Sequence, residues 1–231
     1  MTTEFRLPDS LSLDDLHTFL GRAVALDDGA TRLIGGGGVL AAYVGVLSPL
    51  GILDSSPTVL GLRTYALATD SPSSPIAPDA FDAVVPLRAV IERTTRLQNE
   101  VVDPTAPVTV PLPPVVTAAS WAAISPPRGG WTVTQSIASA VLEATAKAGI
   151  DEVAEVIPTG TGEQIVHRVR SGVWSRPIDG APAVPAGAAF AALTLGFLSP
   201  DEDARVFTTG SWTRVSTSRG HVLVKRRSGL L

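Results

Sequence analysis

Residues 32–47 have the sequence RLIGGGGVLAAYVGVL, and the later segment Thr58–Ala68 has the sequence TVLGLRTYALA. The apolar runs in both segments contain β-branched or aromatic residues and have the length of a strand. The four glycines at 35–38 predict a turn or bulge between the first two runs. Three successive strands with short connections favour an antiparallel meander, which places a sheet in the first part of the chain.

Helical periodicity appears on both sides of this meander. Apolar residues recur at helical spacing after Ser12, an N-cap candidate, and again over Pro86–Gln98, where proline takes the first helical position. Four more helices are predicted in the second half: Thr132–Ala148 (with Gly149 as its C-terminal stop), Asp151–Ile157, Glu163–Trp174 and Pro185–Leu198.

The last part of the sequence predicts a terminal β-hairpin. Trp212–Thr217 and His221–Arg226 have the alternating pattern of strands, and Ser218–Gly220 forms the turn between them. Strands and helices therefore occur together without the regular strand–helix alternation of a parallel sheet. We predict an α+β fold in which an antiparallel or mixed sheet packs with several helices and ends in this hairpin.

The length of 231 residues suits one large domain or two small ones. We expect residues 1–231 to form a single compact domain. The proline-rich segment 104–114 leaves open an arrangement of two lobes, 1–103 and 115–231. The valines and leucine of that segment favour a packed connection over a flexible tether.

The overall composition restricts the partners that we expect. The 18 basic and 22 acidic residues give a formal net charge of −4, which argues against nucleic acid as a partner because phosphate binding depends on positive charge. The long uncharged stretches contain glycines and prolines that would break a lipid-exposed helix, so we expect no membrane association. Because the N-terminus lacks an apolar signal segment, we expect a cytoplasmic location.

The basic residues are concentrated at the end of the chain. No acidic residue follows Asp203, whereas six basic residues do: Arg205, Arg214, Arg219, Lys225, Arg226 and Arg227. One interpretation is a basic arm that meets an anionic partner. The other, which we favour, is a hairpin with a solvated face beside an acidic body.

The segment Pro126–Trp131, PPRGGW, is the strongest candidate for a ligand site. Its glycines allow close approach of the backbone, and a helix starting at Thr132 would direct free N–H groups at an anion beside arginine. The alternative is a tight structural loop whose tryptophan fills the core. The predicted ligand-binding residues are Arg128, Gly129, Gly130 and Trp131, with Arg170 and Arg176 from the following part of the chain.

Other catalytic or metal-binding motifs are weak in this sequence. Glu163 and His167 are four residues apart, which suits either the start of a general acid–base arrangement or an ordinary surface pair. The chain has no cysteine, and its three histidines lack metal-ligand spacing. We therefore predict no metal site and identify no cofactor.

The sequence favours a non-catalytic binding or interaction protein that forms a homodimer, since apolar surface left after folding would be buried between subunits. The alternative is an enzyme or carrier for a small anionic ligand bound near Pro126–Trp131. A third, weaker hypothesis has the basic terminal hairpin bind nucleic acid. The residue pattern leaves open whether the protein is an enzyme.

Overall fold

The structure is a computed structural model that describes residues 3–26, 29–51, 54–68, 80–116, 119–157 and 162–226. Its α-helices are α1 (Ser10–Val24), α2 (Leu87–Glu100), α3 (Ser139–Val156), α4 (Glu163–Trp174) and α5 (Ala186–Thr194), with a short 3-10 helix at Ser120–Ala123. Its strands are β1 (Glu4–Leu7), β2 (Ala30–Gly36), β3 (Val39–Leu47), β4 (Thr58–Ala66), β5 (Phe81–Pro86), β6 (Val108–Pro111), β7 (Thr132–Ile137), β8 (Pro177–Ile178), β9 (Ala181–Pro185), β10 (Ala204–Thr209), β11 (Trp212–Thr217) and β12 (Gly220–Lys225).

The chain forms two compact units. Unit 1 consists of Met1–Val44 and Leu62–Ala123, and unit 2 consists of Gly45–Gly61 and Ile124–Leu231. The strand order is β5-β2-β3-β4 in the first half of the chain and β12-β11-β10-β7 in the second. The proline-rich segment supplies β6, which pairs with β1, so this segment is part of unit 1.

Unit 1 places two antiparallel helices beside its strands. The His17 Nδ1 and Thr94 Oγ1 atoms are 2.9 Å apart, and Gln98 donates a hydrogen bond to Asp14, so the start of α1 lies beside the end of α2. Asp9 is the N-cap of α1 and accepts from the Ser12 backbone N–H at 2.7 Å. Ser12, the cap expected from the sequence, therefore lies inside the helix.

Unit 2 is built around a helix with very small side chains. The buried residues of α5 are all alanine or glycine: Ala186, Gly187, Ala188, Ala189, Ala191 and Ala192. Small residues let neighbouring elements approach closely, and the Trp174 ring fills the remaining space by stacking on Phe190 with centroids 4.3 Å apart. The strands of this unit pair antiparallel, β7 with β10, β10 with β11 and β11 with β12.

The fold class is confirmed. An antiparallel sheet packs with helices, and β11 and β12 form the predicted terminal hairpin. Helix α4 has the predicted bounds Glu163–Trp174. Within the described residues, no helix is long and apolar enough to cross a membrane.

The helix predicted over Thr132–Ala148 is wrong at both ends. Thr132–Ile137 is strand β7, and α3 begins only at Ser139 and continues through Gly149 to Val156. The β-branched residues at the start of this segment suit a strand, and their pairing with β10 satisfies backbone groups that a helix would otherwise satisfy. Asp151–Ile157 is therefore the last part of α3 and not a separate helix.

Candidate functional site

One face of the unit 2 sheet collects basic and aromatic side chains. Phe207 pairs with Arg214, and Arg205 pairs with Ser216, which pairs in turn with His221. Because paired residues and residues two apart on a strand share a face, all of these side chains lie on the same side. We call Arg205, Phe207, Arg214 and His221, together with Trp131 from the preceding loop, the arginine–aromatic face.

Arg214 is the centre of this face. Its guanidinium carbon lies 4.3 Å from the Phe207 ring centroid and 4.7 Å from that of Trp131. Arg205 adds a third contact, 5.3 Å from the Phe207 centroid. Each cation is attracted to the electron-rich ring face, so two aromatic rings orient Arg214.

The charge of Arg214 lacks a carboxylate partner. In the described part of the chain, neither Arg205 nor Arg214 forms an ion pair, and the Arg214 Nε is buried without a hydrogen-bond partner. Burial lowers the pKa of Arg214 from its ordinary value. Guanidinium groups remain charged under ordinary conditions, so this site holds a partly desolvated cation that an incoming anion would stabilise.

His221 is the titratable neighbour of this cation. Its Nδ1 lies 2.9 Å from the Ser216 Oγ. Burial, and then the positive charge of Arg214, lower the pKa of His221. The imidazole is therefore neutral around neutral pH, and acidification would add a second positive charge beside Arg214.

A fourth cation–π contact lies on the same side of the sheet. Trp212 pairs with Lys225 across β11 and β12, and the Lys225 ammonium lies 5.7 Å from the Trp212 ring centroid. Trp212 is two residues from Arg214 along β11, so its side chain has the same orientation. The basic character thus continues along the hairpin.

The Pro126–Trp131 loop lies at this face, although its geometry differs from the prediction. The Trp131 indole N–H donates to the Pro127 carbonyl at 3.1 Å, and Gly130 has a φ of +76°, a conformation that favours glycine. Thr132 begins a strand, so the predicted helix N-terminus does not exist here. Arg128 and Gly129 are exposed to solvent.

Two of the predicted ligand residues belong to other surroundings. Arg176 forms two hydrogen bonds of 2.7 Å with the Glu152 carboxylate, and Arg170 is a half-buried residue of α4. In the residues that the structure describes, no hydrogen bond or ion pair joins either arginine to the loop at 126–131.

Sequence reasoning missed Arg205, Phe207, Arg214 and His221 as a group. The sequence predicts a basic terminal hairpin with a solvated face, but that prediction does not group these four side chains. The alternation of Arg205 with Phe207, and of Arg214 with Ser216, was the available signal, because a period of two places these side chains on one face. No group of three or more potential metal ligands occurs in the described residues.

Comparisons with known proteins identify the fold but establish little chemistry. Residues 1–113 match the family model "Domain of unknown function (DUF8010)", and residues 126–229 match "Domain of unknown function (DUF8185)". No curated protein matches the sequence.

Solved structures give the more informative comparison. The chain is similar to Caulobacter crescentus pol III beta, with 11% identity and a TM-score of 0.51 over 98% of this chain and 66% of that one. A DNA polymerase sliding clamp from Caulobacter crescentus gives 11% identity and a TM-score of 0.50 over 100% and 67%. The chain thus has the sliding-clamp type of fold and spans about two thirds of the length of these structures.

This finding corrects two expectations. The expectation of a general interaction protein is wrong, as is its alternative of an enzyme or carrier for a small anionic ligand bound near Pro126–Trp131, because the similar solved structures are sliding clamps. The argument against nucleic acid is also wrong. Its physical error was to use the net charge of the whole chain, whereas binding depends on the charge of one surface.

Proposed function

We propose that this protein associates with DNA as a sliding-clamp-like factor and that its arginine–aromatic face contacts the DNA. The observation that carries the proposal is Arg214, a cation placed between Trp131 and Phe207 and without a carboxylate partner in the described residues. The fold supports the choice of DNA over other anions, since the similar structures are DNA polymerase clamps.

The charges of this face suit a phosphate backbone. Arg205, Arg214 and Lys225 are strand residues with the same side-chain orientation, and none forms an ion pair within the described part of the chain. Arginine can donate two parallel hydrogen bonds to one phosphate. Such contacts release counterions from DNA, so the binding that we propose weakens as the salt concentration rises.

The aromatic rings suit the bases of a single strand. Trp131 and Phe207 are both only partly buried, and each already stacks against a guanidinium group. Base–aromatic stacking contributes about 1–3 kcal/mol per base and depends little on the base sequence. We therefore expect single-stranded DNA to bind more tightly than a duplex of the same sequence.

The test is fluorescence anisotropy with labelled single-stranded and duplex DNA over a range of salt concentrations. The double variant Arg205→Ala/Arg214→Ala should bind more weakly and should lower the slope of log K against log salt by about 1 per phosphate contact removed. Arg176→Ala is the matched control, because it also removes an arginine of unit 2 but one that pairs with Glu152.

Circular dichroism of each variant ensures that a loss of binding is not a loss of folding. Salt-independent binding by the wild-type protein, or equal affinity of the double variant and the control, would rule out this face as the DNA contact. Weakening by Arg176→Ala of the same size would show that only the overall charge matters.

Self-association and a cytoplasmic location are further parts of the proposal. Among the described strands β7 pairs only with β10 and lies at the edge of the sheet, and Thr132, Val133 and Thr134 are exposed. An unpaired strand edge can pair with the same edge of a second copy. Light scattering should give a mass above that of the single chain, and Val133→Lys should reduce it if this edge forms the contact.

A further inference from the structure

An open cleft in unit 2 shares no lining residue with the arginine–aromatic face. It has a volume of ≈ 920 Å³ and lies between the segment around Asp54 and helix α4. Its lining is mostly apolar by area, but it carries hydroxyl groups, one imidazole and one guanidinium, from Ser56, His167, Arg168, Ser171 and Ser175. A cleft of this volume, with a mostly apolar lining and a few polar groups, suits a small molecule.

The contacts of His167 define which of its ring nitrogens carries the proton. Its Nε2 lies 3.4 Å from the Ser48 carbonyl oxygen and 3.8 Å from the Asp54 Oδ2. Both neighbours are acceptors, which favours the tautomer with the proton on Nε2. In the neutral ring Nδ1 then has a free lone pair, and it faces the Ser171 Oγ at 3.3 Å. The Ser171 hydroxyl is therefore the donor of that hydrogen bond.

Asp54 is held as an ionised carboxylate behind the histidine. Burial alone would raise the pKa of Asp54, but hydrogen bonds from the Ser56 side chain and from the Leu50 and Ser56 backbone N–H groups, with the nearby His167, lower it overall. The two backbone contacts measure 2.9 Å each. These bonds orient the carboxylate, which can stabilise a positive charge that forms on His167.

We propose that Ser171 is an activated nucleophile and that this cleft accepts small esters. In this arrangement Ser171 is the nucleophile, His167 is the base that takes its proton, and Asp54 orients His167. Two of the distances are long for hydrogen bonds, but such contacts often shorten only when substrate is bound. The pair Glu163 and His167 was the sequence signal here, and Asp54 is the carboxylate that the structure places beside His167.

The reaction begins with attack of the Ser171 Oγ on the ester carbonyl carbon while His167 Nδ1 takes the hydroxyl proton. The bond from carbon to the leaving oxygen then breaks, and His167 returns the proton to that oxygen. Water attacks the acyl group on Ser171 and gives its proton to His167. Release of the carboxylic acid and return of the proton restore Ser171. Arg168 lines the same cleft and can stabilise the negative charge that forms on the carbonyl oxygen during the attack.

The direct test is labelling of the full chain with a fluorophosphonate probe, followed by peptide mass spectrometry. Modification should occur at Ser171 and should be lost in Ser171→Ala and in His167→Gln. Ser211→Ala is the control, since Ser211 is an exposed serine of unit 2 in the turn between β10 and β11 and does not line the cleft. That variant should be labelled like the wild type.

Hydrolysis of p-nitrophenyl acetate gives a second readout. Ser171→Ala and His167→Gln should lower kcat about 10²-fold or more. Asp54 acts through His167 as a positioning residue, so Asp54→Asn should lower kcat without changing KM, and Asp54→Glu should restore part of it. Absence of labelling in the folded wild-type protein, or equal labelling of Ser171→Ala, would overturn the proposal. Arg205→Ala/Arg214→Ala should leave labelling unchanged, because the inference does not depend on DNA binding.

Discussion

Gly149 has no space for a side chain. It is buried within α3, and a Cβ added there would collide with the Trp174 ring that stacks on Phe190. We expect Gly149→Ala to destabilise the protein by about 1–3 kcal/mol, since overpacking forces neighbouring groups to move. Gly21 in α1 is the control: its surroundings are open, so Gly21→Ala should stabilise by about 0.5–1 kcal/mol. Urea denaturation gives the free energy of unfolding of each variant. Equal changes in Gly149→Ala and Gly21→Ala would contradict the collision with Trp174.

His221 makes stability depend on pH. Its pKa is lowered by burial and then by Arg214, so the unfolded chain takes up this proton more readily than the folded one. The resulting stability is present above the unfolded histidine pKa of about 6.5 and is lost as the pH falls through the lower folded value. His221→Gln should therefore lose less stability than the wild type between about pH 7 and about pH 5. Urea denaturation at each pH measures the free energy of unfolding. If it falls equally in His221→Gln and in the wild type, His221 does not cause the pH dependence.

At the scale of elements, Arg32 joins three parts of unit 1. From β2 it makes two hydrogen bonds, of 2.7 and 2.6 Å, to Asp82 on β5, and it donates a third, of 2.8 Å, to the carbonyl of Ala122 in the 3-10 helix. The side chain of Arg32 is 13% exposed and that of Asp82 is 49% exposed, so solvent weakens the ion pair only from one side.

Replacement of Arg32 should affect unit 1 more than loss of an ordinary surface pair. We expect Arg32→Ala to destabilise by about 1–2 kcal/mol, and Arg32→Lys to restore little because lysine lacks the planar fork. Lys147→Ala, which breaks the exposed pair with Glu143, is the control and should have little effect. Thermal denaturation compares the three variants, and full rescue by lysine would show that charge alone is needed.

At the scale of the whole molecule, the two units do not follow the two halves of the sequence. Residues 45–61 precede most of unit 1 in the chain but belong to unit 2. In this segment Val59 is fully buried and lies close to Gly187 on α5. The Asp54 Oδ2 lies 3.8 Å from the His167 Nε2. Unit 2 thus includes a segment from the part of the sequence that the first family model matches.

A fragment that begins at Ile124 should consequently fold poorly. It lacks residues 45–61 and would expose the apolar surface that Val59 covers in the full chain. We expect residues 124–231 alone to show no cooperative thermal transition by circular dichroism, and a peptide of residues 45–61 to restore part of it. Cooperative unfolding of the fragment without the peptide would show that the segment is dispensable.

The sequence alone determined those features whose signals are local. Helix α4, the β2–β3–β4 meander and the terminal hairpin follow from hydrophobic period and turn residues within single segments. Only the tertiary structure decided that Thr132–Ile137 is a strand. Its partner β10 lies far along the chain, as the hydrogen bond from Thr134 to the Val206 carbonyl illustrates, and no sequence spacing indicates that these two segments pair. The same long-range pairing places Arg214 between Trp131 and Phe207, because a sheet joins residues that no sequence spacing connects.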